Sequence, residues 1–139
     1  MSPAKRQESS RPRHARPNDK ERGSNTIEMS IVFPAVLVLM FLGVQGALYF
    51  HARTVAMTAA TEGAKAAAVE HGTAGDGEAA ALGFVDLAGG DDVMTDAGAT
   101  AALSPTSATV VVTGRSLSLV PGWQPLVQQQ ATAPREALS

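Results

Sequence analysis

Glu28 is the residue whose placement demands a chemical reason. It lies three residues inside the start of an apolar segment, in "RGSNTIEMSIVFPAVLVLMFLG", residues 22–43. An isolated carboxylate in hydrocarbon is costly unless it is paired or kept near water. One role is local: "NTIE" has the form of a capping box, with Asn25 as N-cap and Glu28 reaching back from the third helical position. The other is to hold a cation supplied from elsewhere. No other cluster offers comparable chemistry. His14, His51 and His71 stand apart, with no second histidine or cysteine at metal-ligand spacing. Asp91, Asp92 and Asp96 follow Gly90 without the fixed oxygen-ligand loop of an EF-hand, and read as a solvated turn. A glycine-rich phosphate loop is missing, as is any nucleophile–base set. The sequence therefore predicts no enzyme, no cofactor and no metal site.

The elements around Glu28 follow from charge and hydropathy. The chain has 139 residues, room for one small domain. Residues 1–23 hold seven Lys/Arg against three Asp/Glu, a net of +4, and residues 51–139 hold four against nine, a net of −5. Between them, 31–50 is an uncharged run of twenty residues. As a helix at about 1.5 Å per residue it spans about 30 Å, the thickness of a bilayer's hydrocarbon core. The basic flank predicts a cytoplasmic N-terminus under the positive-inside rule, and the acidic remainder then lies on the far side. The basic tail has three prolines and no Leu, Ile or Val, so it reads as disordered. Beside a membrane span such charge sets topology or contacts anionic lipid, and no nucleic-acid partner is expected.

Chain organisation is accordingly expected in three parts: a disordered basic cytoplasmic leader, 1–23; a long helix, 24–71, containing the transmembrane span 31–50; and a small extracytoplasmic α+β domain, 72–139. Pro34 lies inside the helix and predicts a kink there. Tyr49, Phe50, His51 and Arg53 mark the outer interface. Alanine-rich sequence carries the helix onward to His71, with Gly72 as its end. Gly43 and Ala47 form a small-xxx-small pair, with Gly46 widening the notch, a pattern that lets helices pack closely in membranes. "TAGDG" reads as a turn and 78–88 as a short helix ended by Gly89-Gly90. "ATVVVTG", 108–114, is the clearest strand; 99–103 pairs with it through "SPTS", and 125–133 is a third candidate. The single Trp123, in "VPGWQ", is expected to plug a small core. The fold class is thus α+β: a long N-terminal transmembrane-plus-extended α-helix, then a short helix and a small antiparallel β-sheet.

Taken together, a basic tail, Gly23, Glu28 five residues later and an apolar helix resemble the class III signal of type IV prepilins. The stretch 22–69 narrows this, and is similar to the TadE-like family of tight-adherence (Flp) pilus systems. It has Arg22-Gly23, Glu28, Pro34 six residues further on, a leucine-rich span and "ATEGAKAAA", Ala60 to Ala68. Met29 stands where an aromatic residue is usual. The resemblance implies a pseudopilin or minor pilin. It implies cleavage by a prepilin peptidase between Gly23 and Ser24 while the apolar helix stays on. It also implies an assembly role for Glu28, as partner to the new α-amino group of a neighbouring subunit. The implied partners are the membrane, the peptidase, other pilins or pseudopilins and the pilus assembly machinery. The implied location is the cell membrane, single-pass, with possible incorporation in a pilus.

Two other readings use the same residues. In the first, the chain keeps its leader as an uncleaved, single-pass membrane protein whose outer domain binds a partner. In the second it is secreted, with signal peptidase cutting after "VQG", 44–46; the length of the apolar run and the continuing helix argue against that.

Overall fold

The structure, a computed structural model, describes residues 3–4 and 19–135. It has two compact units, Met1–Leu37 and Val38–Ser139. Helix α1, Asp19–Ala68, contributes to both. The expected disorder of the leader falls largely on residues 5–18, which lie outside the described residues.

In the first unit the helix is already formed at Asp19, so Asn25 is an interior residue and not an N-cap. The capping box expected from "NTIE" is therefore not made. Asp19-Lys20-Glu21-Arg22 are not apolar, but they do not break a helix, and the chain joins them to α1 instead of starting afresh at Asn25. The helix continues through Pro34. Four residues before that proline, the Ser30 hydroxyl donates to the Thr26 carbonyl at 2.8 Å.

In the second unit, the outer half of α1 and helix α2, Ala74–Leu87, share one core with a three-stranded sheet. The buried positions of α1 recur at three- and four-residue steps: Ala52, Val55, Ala56, Ala59, Ala60 and Ala64. That spacing is one face of a helix, and its small side chains let neighbours approach closely. On the opposite face, the hydroxyls of Thr54, Thr58 and Thr61 donate back to carbonyls four residues earlier. The ion pair Lys65–Glu62, 3.1 Å, is exposed and adds little. α1 ends at Ala68, and the residue that takes the left-handed backbone beyond it is His71, φ 63°, not Gly72. Gly72 is needed for a different reason: a Cβ there would stand 2.5 Å from the Ala67 carbonyl oxygen.

The stretch expected as a turn, "TAGDG", instead begins α2. Thr73 is its N-cap: the Asp76 amide donates to Thr73 Oγ1 at 3.1 Å, and the Thr73 amide donates to Asp76 Oδ2 at 3.0 Å. Each side chain thereby satisfies an amide that the helix start would leave free. Thr73→Ala is expected to lower the stability of this unit by about 1 kcal/mol, read as a fall in thermal midpoint by circular dichroism in detergent. The inner face of α2 is Gly77, Ala81 and Val85, four residues apart. Leu87, the last residue of α2, is 89% exposed.

Gly89 and Gly90 both have positive φ and end α2 as expected, leading through a single 3-10 turn, Gly90–Asp92, into the sheet. The strands β1, Met94–Leu103, β2, Ser107–Ser116, and β3, Leu126–Pro134, form an antiparallel meander in the order β1-β2-β3. β1 and β2 are joined at Leu103↔Ala108 through "SPTS". Ser104 Oγ accepts from the amides of Thr106 and Ser107, and Arg135 Nη1 donates to the Ser104 carbonyl. β1 starts five residues before the expected 99–103 and carries a bulge between Thr95 and Gly98. On β2, Ala108, Val110 and Val112 are fully buried while the residues between them are partly exposed, the period-two pattern of a sheet with one covered face. At the outer edge of β1, Glu78 Oε1 of α2 accepts from the Ala101 amide at 3.1 Å.

Candidate functional site

The first unit holds the residues singled out for processing and assembly. Gly23, Ser24, Asn25, Glu28 and Pro34 are all exposed along α1. Asn25, Glu28, Met29 and Val32 line a shallow recess on one flank of the helix. Among the described residues Glu28 makes no hydrogen bond or ion pair within the chain. It presents a free carboxylate beside two apolar side chains. Gly23 lies in the helix, and a Cβ built there would meet nothing within 4 Å. Space alone therefore does not require glycine at that position.

Exposure then runs without a break. Every residue from 23 to 44 is exposed, including Phe33, Leu39, Met40 and Phe41. In a globular core such residues would be covered; their exposure over this length marks a surface meant for an apolar surrounding or a partner. The helix is long and apolar enough to cross a membrane.

In the second unit this run is first interrupted at Gln45, which is 8% exposed. Its side-chain amide is used at both ends by the loop 117–125 that joins β2 to β3. Gln45 Nε2 donates to the Leu117 carbonyl at 3.3 Å, and Gln45 Oε1 accepts from the Leu119 amide at 2.9 Å and from Ser118 Oγ at 3.2 Å. Sequence reasoning missed this residue. The signal was present, since Gln45 is the single amide side chain in the uncharged run 31–50. A polar group inside such a run needs a partner.

The expected notch of Gly43, Gly46 and Ala47 is exposed, and a Cβ at either glycine would meet nothing within 4 Å. This chain leaves the notch unfilled. Trp123 is not the plug of the core, contrary to expectation. It is 53% exposed and lies with Gln45, Gly46, Tyr49 and Leu126 around a cleft at the loop. The core closes without it because alanine and valine fill the narrow space between α1, α2 and the sheet.

The acidic residues are scattered over the surface. Asp91 and Asp92 sit in the 3-10 turn, and Asp96 lies in the bulge, 3.9 Å from Arg115 Nε. Among the described residues no group of three or more His, Cys, Asp or Glu could hold a metal ion.

A bare apolar helix of membrane-crossing length that continues into a small α+β unit fits membrane anchoring. The kind of helix is given by comparison: residues 23–65 match the family model described as TadE-like protein. Over that stretch the chain is similar to that family. The matched segment begins at Gly23 and contains Glu28, Pro34 and Glu62-Gly63-Ala64-Lys65. No curated protein and no solved structure matches the chain.

The structure supplies a physical reason for Gly63 in that segment. α1 and α2 cross there with backbones nearly touching. A Cβ at Gly63 would stand 2.7 Å from the Gly77 carbonyl oxygen and 3.1 Å from Val110 Cγ1. A Cβ at Gly77 would stand 3.0 Å from the Gly63 carbonyl oxygen and 2.9 Å from Ala67 Cβ.

Proposed function

We propose that the chain is a pseudopilin or minor pilin subunit of a tight-adherence pilus system, processed by a prepilin peptidase between Gly23 and Ser24. The observation that carries this reading is the family match over 23–65, which starts at the glycine of the proposed cleavage site. In it the N-terminus is cytoplasmic, α1 crosses the membrane once and the unit around the sheet is extracytoplasmic.

Each of the named residues has a physical task. Gly23 is a weak point in a helix, less favourable than alanine by about 1 kcal/mol. Local unwinding there presents the peptide to the protease. Cleavage leaves the amino group of Ser24 four residues before Glu28. The Glu28 carboxylate, without a partner among the described residues of its own chain, then pairs with the amino group of a neighbouring subunit. Pro34 loosens one turn of the helix by depriving the Ser30 carbonyl of its amide partner. The exposed notch at Gly43, Gly46 and Ala47 receives a second helix at close range.

Secretion by a cut after Gly46 fits the structure poorly. It would remove Gln45, which is hydrogen-bonded into the loop 117–125 of the outer unit. The uncleaved single-pass anchor is separated from the proposal by one experiment: the mass of the protein recovered from membranes, with and without a prepilin peptidase. The expected result is a chain that starts at Ser24 only when the peptidase is present. A chain that retains residues 1–23 in its presence overturns the processing step and leaves the anchor.

A further inference from the structure

We propose that the β2–β3 loop is a second membrane contact: its tip, Leu119 to Trp123, is seated in the outer lipid interface beside α1. This rests on the membrane placement of α1 but not on pilus assembly or cleavage.

Three observations carry it. The first is composition. No charged residue occurs between Arg115 and Arg135, and the tip presents Leu119, Val120 and Trp123 at 45%, 51% and 53% exposure. These side chains are no part of the core. The second is position. The loop is fastened to Gln45, the first residue of α1 after the exposed run 23–44 to be buried, and its tip shares a cleft with Val38, Phe41 and Leu42 of that helix. The apolar tip thus continues the surface that the helix offers to lipid. Trp123 stands with Tyr49 around the neighbouring cleft, an aromatic pairing typical of the membrane–water interface.

The third observation is the decisive one. Backbone placed among lipid must have its polar groups satisfied within the protein, and an ordinary surface loop leaves that to water. Here the Leu119 amide donates to Gln45 Oε1, the Val120 amide to Ser118 Oγ at 3.0 Å, the Trp123 amide to the Val120 carbonyl at 3.2 Å and the Ser116 amide to the Pro125 carbonyl at 2.9 Å. Pro121 and Pro125 have no amide to satisfy. Of the tip's four amides, those of Leu119, Val120 and Trp123 are thus held within the protein, and that of Gly122 is left to the water of the interface. The outer edge of the bilayer then falls near Gln45 and Tyr49, and the lipid-facing part of the helix is 29–46, earlier in the chain than the run 31–50. At about 1.5 Å per residue, eighteen residues still span about 27 Å, close to the hydrocarbon thickness.

Trp123 is the protein's single tryptophan, so the test needs no substitution. The full chain is reconstituted in phosphatidylcholine vesicles and floated on a density gradient. Its tryptophan emission is then read in plain lipid, in lipid brominated near the headgroup or near the chain end, and with aqueous iodide. The expected result is blue-shifted emission that is quenched more by shallow bromines than by deep ones, as for a ring at headgroup level, and that resists iodide. Emission at the wavelength of water-exposed tryptophan, quenched by iodide and not by bromolipid, overturns the proposal. Protection from both quenchers that is lost on dilution into excess lipid overturns it too, because the occupant is then a second copy of the chain. Failure to float with vesicles removes the membrane placement of α1 itself, a result distinct from a loop that stays in water on a floated protein.

Discussion

Gly63→Leu is expected to unfold the outer unit. The site has no slack in the directions that matter. The nearest obstacle to a Cβ is the Gly77 carbonyl oxygen, at 2.7 Å, and a backbone oxygen inside α2 cannot move without moving the helix. The Ala81 Cβ, at 3.0 Å, and Val110 Cγ1, at 3.1 Å, close the other sides. Added methylenes in a packed core cost about 1–3 kcal/mol and occasionally more, against a gain of about 1 kcal/mol from replacing glycine in a helix. The first term wins, and it acts on a small core of alanine, valine and one methionine. We expect Gly63→Ala to lower the thermal midpoint measurably and Gly63→Leu to leave residues 72–135 open to a protease in detergent-solubilised protein. Gly83 is the matched control. It also lies in a helix, but a Cβ there meets nothing within 4 Å, so Gly83→Ala is expected to raise stability slightly. A Gly63→Leu protein as protease-resistant as the parent would show that α1 and α2 do not cross as described.

Glu28→Ala carries the second large effect, on assembly and not on folding. Glu28 is exposed, and among the described residues it holds nothing within its own chain, so its loss leaves the outer unit intact. In the proposed assembly the carboxylate is packed against apolar helix surface, where removing one member of a charge pair strands the other. Such truncations cost about 2–5 kcal/mol, and each 1.4 kcal/mol is about tenfold in association. The expected phenotype is a protein that enters the membrane and is cut after Gly23 as usual, yet is depleted more than about tenfold from sheared pilus fractions or cross-linked complexes. Glu28→Gln separates charge from shape, since it keeps the side chain's length and hydrogen-bonding capacity while losing the negative charge. Parental recovery of Glu28→Ala in those fractions would end the pairing hypothesis while leaving the processing site untouched.

Much of the architecture was legible because it rests on local chemistry. The β-branched run at 109–113, flanked by turn residues, marks β2, and Gly89-Gly90 marks the end of α2. The alanine-rich continuation of the helix announces itself by propensity. What was not legible depends on tertiary partners. Thr73 and Asp76 have the spacing of a capping box, but the two glycines around Asp76 made the stretch read as a turn. Gly77 is there for the crossing with Gly63, which no local pattern reveals. Met94 and Thr95 extend β1 across a bulge because Met94 is needed in the core, where it is fully buried. Trp123 shows that ring size alone does not dictate burial in protein, because small side chains already fill that space. Gln45, the residue that fastens the loop to the helix, stood in plain view, but its partners lie more than seventy residues away.

The hydrogen bond from the Ala101 amide to Glu78 has a bearing on how copies of this chain coexist. A sheet of three strands has two open edges, and proteins crowded on a membrane meet at high local concentration. Bare edges then add to one another and build aggregates. On β1 the carboxylate of Glu78 occupies an edge amide and the bulge at 95–98 breaks the regular ladder. On β3 the run is bracketed by Pro125 and Pro134, neither of which can donate a ladder bond. Both edges are thus poor templates for strand addition. Pairing of copies through the sheet, which would be irreversible, is thereby discouraged.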